Sequence, residues 1–180
     1  MSEHKQTTLP FLLRRLDKGD FDNLVLYVNS LSSETKKRFA PHAFDKQSMI
    51  DFYQDNDLLI GYIAVDLETG AIVAYAIMKR GILEHDRSRL ESYGLIPDQE
   101  QDSTFAPSVA DSRQGQGVGS GLLQYIIAEQ KITKINRILL WGGVQADNVR
   151  AIHYYERNGF TRLGQFEHHG TNYDMILTLS

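Results

Sequence analysis

The stretch Arg113-Gln-Gly-Gln-Gly-Val-Gly-Ser-Gly121 sets glycines at 115, 117, 119 and 121, immediately before the apolar run 122–128. Alternate glycines in front of a helix let several consecutive backbone N–H groups point into one concavity. There the orphan donors and the helix dipole favour an anion such as a pyrophosphate. Glycine also lets the ligand approach the backbone closely. Two phosphate loops do not fit. GxxxxGK[ST] fails because Ser120 stands five places after Gly115 and no lysine follows, and GxGxxG fails because its last position falls on Ser120 or Leu122. What remains is Gln114-x-x-Gly117-x-Gly119, which reads as an anion cradle or as an ordinary glycine-rich turn.

A second segment with chemistry in it is Asp147-Asn-Val-Arg-Ala-Ile-His-Tyr-Tyr-Glu-Arg-Asn-Gly-Phe160. On a helix, Asn148, Ala151 or Ile152, and Tyr155 share one stripe, since a separation of seven is two turns. An amide, a small residue and a phenol then face one side. Tyr154, rotated by about 100°, is expected to point towards Arg150 and Arg157. The plainer reading makes Tyr155 a core aromatic and Asn148 a helix cap.

The elements that must hold these segments follow from periodicity. Residues 11–16 read as a short strand, and 20–31, 33–39 and 45–54 as helical patterns. Residues 58–66 and 71–79 form a hairpin around Leu67-Glu-Thr-Gly70. Residues 81–101 are charged and irregular with a helical turn at 87–93, and 104–109 is a strand. Val118, Leu122, Leu123, Ile126 and Ile127 recur at helical spacing after the glycine turn. Residues 137–141 are a buried-type strand, Asp147 or Asn148 caps a helix to Arg157 with Gly159 past its end, and 161–166 and 173–179 close the chain as a strand pair. The pattern predicts α/β content on a mixed sheet.

Composition narrows the class. The chain has 180 residues, 42% of them hydrophobic, which suits one globular domain, 1–180. A net charge of −4 and no basic run longer than Lys36-Lys-Arg38 argue against nucleic acid as a partner. The absence of cysteine excludes disulfides, a thiol nucleophile and cysteine-ligated zinc. No apolar run approaches the roughly 20 residues of a membrane span, so no membrane partner and a cytoplasmic location are expected. A homodimer stays open.

Together the two segments resemble the GNAT family of acyl-coenzyme A-dependent N-acetyltransferases. The Q/R-x-x-G-x-G/A turn after a valine-ending strand matches Val109 to Gly119, and the asparagine, alanine, tyrosine and terminal Gly-Phe match Asn148, Ala151, Tyr155, Gly159 and Phe160. The resemblance runs from about 105 to 166. It implies an α/β (α+β) fold with a central mixed, mostly antiparallel twisted sheet of six to seven strands, flanked by helices and splayed between the fourth and fifth strands. It also implies acetyl-CoA as co-substrate, with no metal. By the same resemblance Gln114, Gly115, Gln116, Gly117, Val118, Gly119 and Ser120 cradle the pyrophosphate, and Val109 offers its N–H to the thioester carbonyl. Asn148 meets the pantetheine arm, Ala151 also binds the cofactor, and Tyr155, cofactor-binding too, protonates the departing thiolate.

The base departs from the family's pattern. Members place a glutamate about eleven residues before the motif glutamine, and here that place is Ser103, next to Asp102 and near Glu100. Asp102 is the expected base, acting directly or through water. Glu84-His85 and His168-His169 are weaker candidates, and Trp141-Gly142-Gly143 is a place for the chain to bend beside the cofactor. The expected activity is acetyl transfer from acetyl-CoA to a primary amine of a small molecule or peptide. The alternative is a non-catalytic acyl-CoA-binding module.

Overall fold

The computed structural model describes residues 10–39, 41–54 and 56–179. In chain order the elements are β1 (Phe11–Arg15), α1 (Phe21–Ser30), α2 (Ser33–Arg38), α3 (Lys46–Tyr53), β2 (Leu59–Asp66), β3 (Ile72–Arg80), α4 (Arg87–Ser92), β4 (Asp102–Val109), α5 (Val118–Ile132), β5 (Arg137–Leu140), β6 (Val144–Gln145), α6 (Val149–Arg157), β7 (Thr161–Glu167) and β8 (Thr171–Thr178). The mixed architecture and the element order are those expected. The addition is β6, two residues long and too short to show a pattern, which brings the sheet to eight strands among the described residues.

Strands β1, β2, β3 and β4 follow one another antiparallel, β4 pairs β5 parallel, and β8 carries β5 and β6 along one edge and β7 along the other. One face buries Met78, Phe105 and Ile138 against Leu122, Leu123 and Ile126 of α5 and Ile152 and Tyr155 of α6. The apolar stripe of α5 is therefore the one its sequence spacing predicts. The other face buries Ile63, Tyr75 and Ile77 under Leu24, Tyr27 and Val28 of α1 and Met49 of α3. Leu90 of α4 covers the far part of that face with Ile82, Leu95 and Leu139.

The decisive local feature is where β4 and β5 part. Their parallel pairing spans Asp102–Phe105 against Arg137–Leu140, and its last bond runs from the Trp141 N–H to the Phe105 carbonyl at 2.9 Å. Ala110 donates its N–H to Val73 on β3 at 2.9 Å. Backbone groups alternate edges along a strand, so residues 106, 108 and 110 serve β3, while 105, 107 and 109 serve the β5 side. The next N–H that β4 would offer β5 belongs to residue 107, a proline with none to give. Gly142 and Gly143, at φ 67° and 73°, then turn the departing chain away. The expected splay is thus caused by one missing donor and two glycines.

β4 begins two residues earlier than expected, and this relocates the predicted base. Asp102 is fully buried and accepts Arg137 Nε and a second guanidinium nitrogen at 2.6 and 2.9 Å, and the Asp98 N–H at 2.8 Å. It fastens the start of β4 to the start of β5. Val109 lies seven residues further along the strand, roughly 23 Å at the usual rise. Asp102 is therefore no base for chemistry at Val109, which corrects the sequence expectation. Ser103 is likewise in the core, donating to Gln130 at 3.1 Å.

On the opposite face, His42 ties the segment after α2 to the sheet. Its Nδ1 lies 2.8 Å from the Ala43 carbonyl, which can only accept, so Nδ1 carries the proton and Nε2 accepts from the Tyr75 hydroxyl at 3.0 Å. Tyr53 donates to Tyr75 in turn at 2.6 Å. Burial holds the His42 imidazole below its ordinary value. The unfolded chain then binds a proton at His42 before the folded one does, so stability is lost as pH falls through the ordinary imidazole range towards the folded value. Thermal melts from pH 8 to pH 5 are expected to fall more steeply below about pH 6.5 in the parent than in His42→Gln.

Candidate active site

The glycine turn sits where the splay opens. Gly117 is the N-cap of α5 at φ 82°, with no side chain capping the helix, and Gly115 is also left-handed at φ 76°. A Cβ at either would meet nothing within 4 Å, so these two are glycines for conformation and face open space. Gly119 is a glycine for room: its Cβ would lie 3.2 Å from Val109 Cγ2 and 3.3 Å from the Tyr154 ring. The first intrahelical bond runs from Gly121 to the Gly117 carbonyl at 2.9 Å, which leaves the amides at the start of α5 without a helical acceptor. Gln114 anchors the turn by donating Nε2 to the Val109 carbonyl at 3.1 Å, and Gln116 donates to Ser112 at 2.9 Å.

α6 supplies the opposite wall. Asn148 is its N-cap, accepting the Ala151 N–H at 3.3 Å. The helix ends in a Schellman arrangement: Gly159, at φ 90°, donates to Glu156 at 3.1 Å, and Phe160 donates to Tyr155 at 3.0 Å. That ending swings Phe160 against the Tyr155 ring, centroids 5.4 Å apart, with Tyr154 at 5.1 Å on another side. Tyr155 is 8% exposed. Its hydroxyl has no hydrogen-bond partner among the described residues, in which no buried side-chain polar atom goes unpartnered, so the hydroxyl reaches the cleft. Burial pushes its pKa upward and keeps the phenol protonated.

These walls enclose a cleft of about 640 Å³, lined by Val109, the turn at Gln114, Gly115, Gly117, Gly119 and Ser120, and by Asn148, Ala151 and Tyr155. Trp141, Gly142 and Gly143 border it, as do His168 and His169. Val109 is the last residue of β4 on the β5 side, so its N–H faces the opening by the same alternation that stops the ladder at Pro107.

Several predicted residues lie elsewhere or act differently. Glu84 is paired with Arg87 at 2.6 and 3.1 Å and His85 is exposed beside Asp86, neither lining the cleft. Glu100 sits on a shallow groove at the other end of the sheet. Tyr154 does not simply point away: it lines the cleft and donates to the Gly119 carbonyl at 3.0 Å, because its ring occupies the space that Gly119 leaves.

The sequence marked 33–39 as helical but did not place α2 at the cleft. Asp111, just past β4, accepts the Ser32 N–H and hydroxyl, both at 2.9 Å, and the Thr35 hydroxyl at 2.7 Å. At the other end Arg38 reaches Asp147, ahead of α6, at 3.3 Å. α2 therefore spans the mouth of the cleft from the β4 side to the α6 side. Ser32 as an N-cap was a readable signal, but its second partner 79 positions away was not.

The Acetyltransferase (GNAT) domain profile matches residues 52–162. The chain belongs to the GNAT acetyltransferase family. Among solved structures it is similar to the GNAT domain of S. lividans PAT, at 24% identity over 94% of this chain and 90% of that one, TM-score 0.73. It is also similar to yncA, a putative acetyltransferase from Salmonella typhimurium solved with acetyl-CoA (18% identity, 94% of each chain, TM-score 0.69), and to AAC(6')-Ib in complex with paromomycin and acetyl-CoA (20%, 94% of each, 0.70). No curated protein sequence matches it.

Two substitutions separate fastening from binding. Asp102→Asn is expected to lower unfolding free energy by about 2–4 kcal/mol, since it half-breaks a buried pair whose arginine keeps some access to water. It should leave the acetyl-CoA-induced rise in Tm intact. Gly117→Val is expected to show the reverse weighting, costing roughly 1–2 kcal/mol for a left-handed side chain and abolishing most of that rise. Denaturant titration and thermal shift with and without acetyl-CoA read both.

Proposed function

We propose that the chain is an N-acetyltransferase that moves the acetyl group of acetyl-CoA to a primary amine of a small molecule or peptide, by direct attack within a ternary complex. One observation carries this reading. The uncapped start of α5, the outward N–H of Val109 and the hydroxyl of Tyr155, without a partner among the described residues, open into the same cleft.

Acetyl-CoA, when bound, supplies an activated acyl group and a thiol leaving group. The amides at the start of α5 suit its pyrophosphate: they are orphan donors at the positive end of a helix, and left-handed glycines leave the approach clear. Asn148 caps α6 with its oxygen, and its Nδ2 has no partner among the described residues, which suits the pantetheine arm. Val109 N–H is placed to meet charge that develops on the thioester oxygen, a donor fixed in advance by the sheet. Tyr155 then delivers the proton that sulfur needs; burial keeps that proton on the phenol until charge develops on sulfur. A binding-only module would hold acetyl-CoA by the same turn and release no thiol in the presence of any amine.

The two tyrosines are expected to divide cleanly. Tyr155→Phe should lose roughly 10²- to 10⁴-fold in kcat with little change in acetyl-CoA affinity or Tm. Tyr154→Phe removes the bond to Gly119 and should raise KM for acetyl-CoA while largely keeping kcat. Steady-state kinetics on coenzyme A release with an accepted amine, backed by single-turnover measurements, check both. Equal kcat in parent and Tyr155→Phe under single-turnover conditions would remove Tyr155 from the chemistry.

A further inference from the structure

With Asp102 fastening the far end of the sheet, the reaction lacks its expected proton acceptor. Residues 107 and 109, whose backbone faces β5, are proline and valine. Ser108 lines the cleft, but its hydroxyl accepts from Tyr27 at 3.0 Å and donates to the Tyr75 carbonyl at 3.2 Å, so both its roles are taken. Among the described lining residues, the carboxylate is Glu34, 72% exposed on α2 and paired with Arg38 at 3.3 Å. The remaining lining groups with a basic ring nitrogen are the imidazoles of His168 and His169.

The tip of the β7–β8 hairpin has a fixed backbone, from which the two exposed rings project. Asn172 is buried and gives both hydrogens of its amide to the tip, to the His168 and Gly170 carbonyls at 2.8 Å each. β6 pairs Gln145 with Asn172, and Ala146 donates to Thr171 at 2.9 Å, so the tip is fixed to the wall that Trp141 begins, across the opening from β4. His169 takes φ 50°, a left-handed backbone that histidine tolerates better than most side chains, and its ring lies 4.5 Å from that of His168. The charged groups sharing the cleft with the pair are Glu34, Lys37 and Arg38 of α2, Arg113 past β4, itself paired with Asp66, and Arg150 and Arg157 of α6; Glu167 beside them accepts from the Thr171 hydroxyl at 2.7 Å.

We propose that the His168–His169 pair is the proton acceptor for the amine. This rests on the acetyltransferase reading above. The nitrogen lone pair forms the new C–N bond to the acetyl carbon as the C–S bond breaks. The C–S electron pair leaves with sulfur, which takes the Tyr155 proton, and the proton shed by nitrogen goes to an imidazole nitrogen and from there to solvent. Nothing is oxidised or reduced, and solvent returns the phenol proton.

The test uses the full chain, with phenethylamine, spermidine and an alanyl peptide as trial acceptors. The double variant His168→Gln/His169→Asn keeps a residue that tolerates left-handed backbone at 169. Its kcat/KM at neutral pH is expected to fall about 10²-fold or more, with Tm and acetyl-CoA affinity unchanged. Its acid limb should move towards the ionisation of the amine itself, so that the deficit shrinks at alkaline pH. Independently of turnover, the accepted amine added to the parent with coenzyme A should shift the ring resonances of His168 and His169 in NMR spectra and leave those of His42 and His153 in place. An unchanged pH profile in the double variant, or rings that ignore the amine, overturns the assignment. A parent that releases coenzyme A with none of the amines overturns the acetyltransferase reading along with it, whereas an active parent with an equally active variant overturns only the histidines.

Discussion

Everything at this site depends on β4 and β5 being fastened at one end and released at the other. The Asp102–Arg137 pair, reinforced by the Asp98 N–H, locks the two strand starts together. Five residues later Pro107 withholds the hydrogen bond that would continue the ladder, and Gly142 and Gly143 carry β5 away. A parallel pair inside a sheet ordinarily leaves no backbone group for a ligand. Here the release leaves the N–H of Val109 facing space, and the same event decides where α5 and α6 begin.

The two helices that flank the opening are set against each other by complementary losses and gains of volume. Gly119 gives up a side chain and Tyr154 fills the space, its hydroxyl closing on the Gly119 carbonyl. Asn158 adds a link from the end of α6 to the Ser120 hydroxyl at 3.1 Å. The start of α5 is thereby fixed from the side while its own amides stay uncapped. α2 completes the enclosure, held firmly by Asp111 near β4 and more loosely by Arg38 and Asp147, whose carboxylate is 76% exposed. Ion pairs of that exposed kind contribute little, so the strength of α2's attachment lies on the β4 side.

How far the sequence could be read follows from how local each determinant is. The turn, the α5 stripe, the Asn148 cap, the Gly159–Phe160 ending and the hairpin at Gly70 are set by residues within a few positions of one another, and all are found where periodicity and glycine placement put them. Asp102 was misread because it closes the polar run from Asp98, which looks like a loop until Arg137 is known to lie against it. Pro107 was legible as a residue but not as a cause, since a missing N–H matters only once the edge it faces is known. Tyr154 was placed by rotation about an isolated helix, and the neighbour that redirects it, Gly119, lies 35 positions back.

The same distinction explains why one end of the cleft is easier to assign than the other. In the proposed reading the pyrophosphate end works through backbone amides, so any sequence that makes the turn and leaves α5 uncapped has made the proposed binding groups as well. Taking a proton from an amine requires a side chain, and several elements reach the opening: the end of β4, α2, and the tip between β7 and β8. No spacing rule within one segment can select among them. The selection comes first from occupancy: Asp102 is spent on Arg137 and the Ser108 hydroxyl on Tyr27 and Tyr75, while Glu34 stands on α2 beside the cationic Arg38 and Lys37. The two imidazoles at the hairpin tip have their backbone held by Asn172 and their rings left to the cleft.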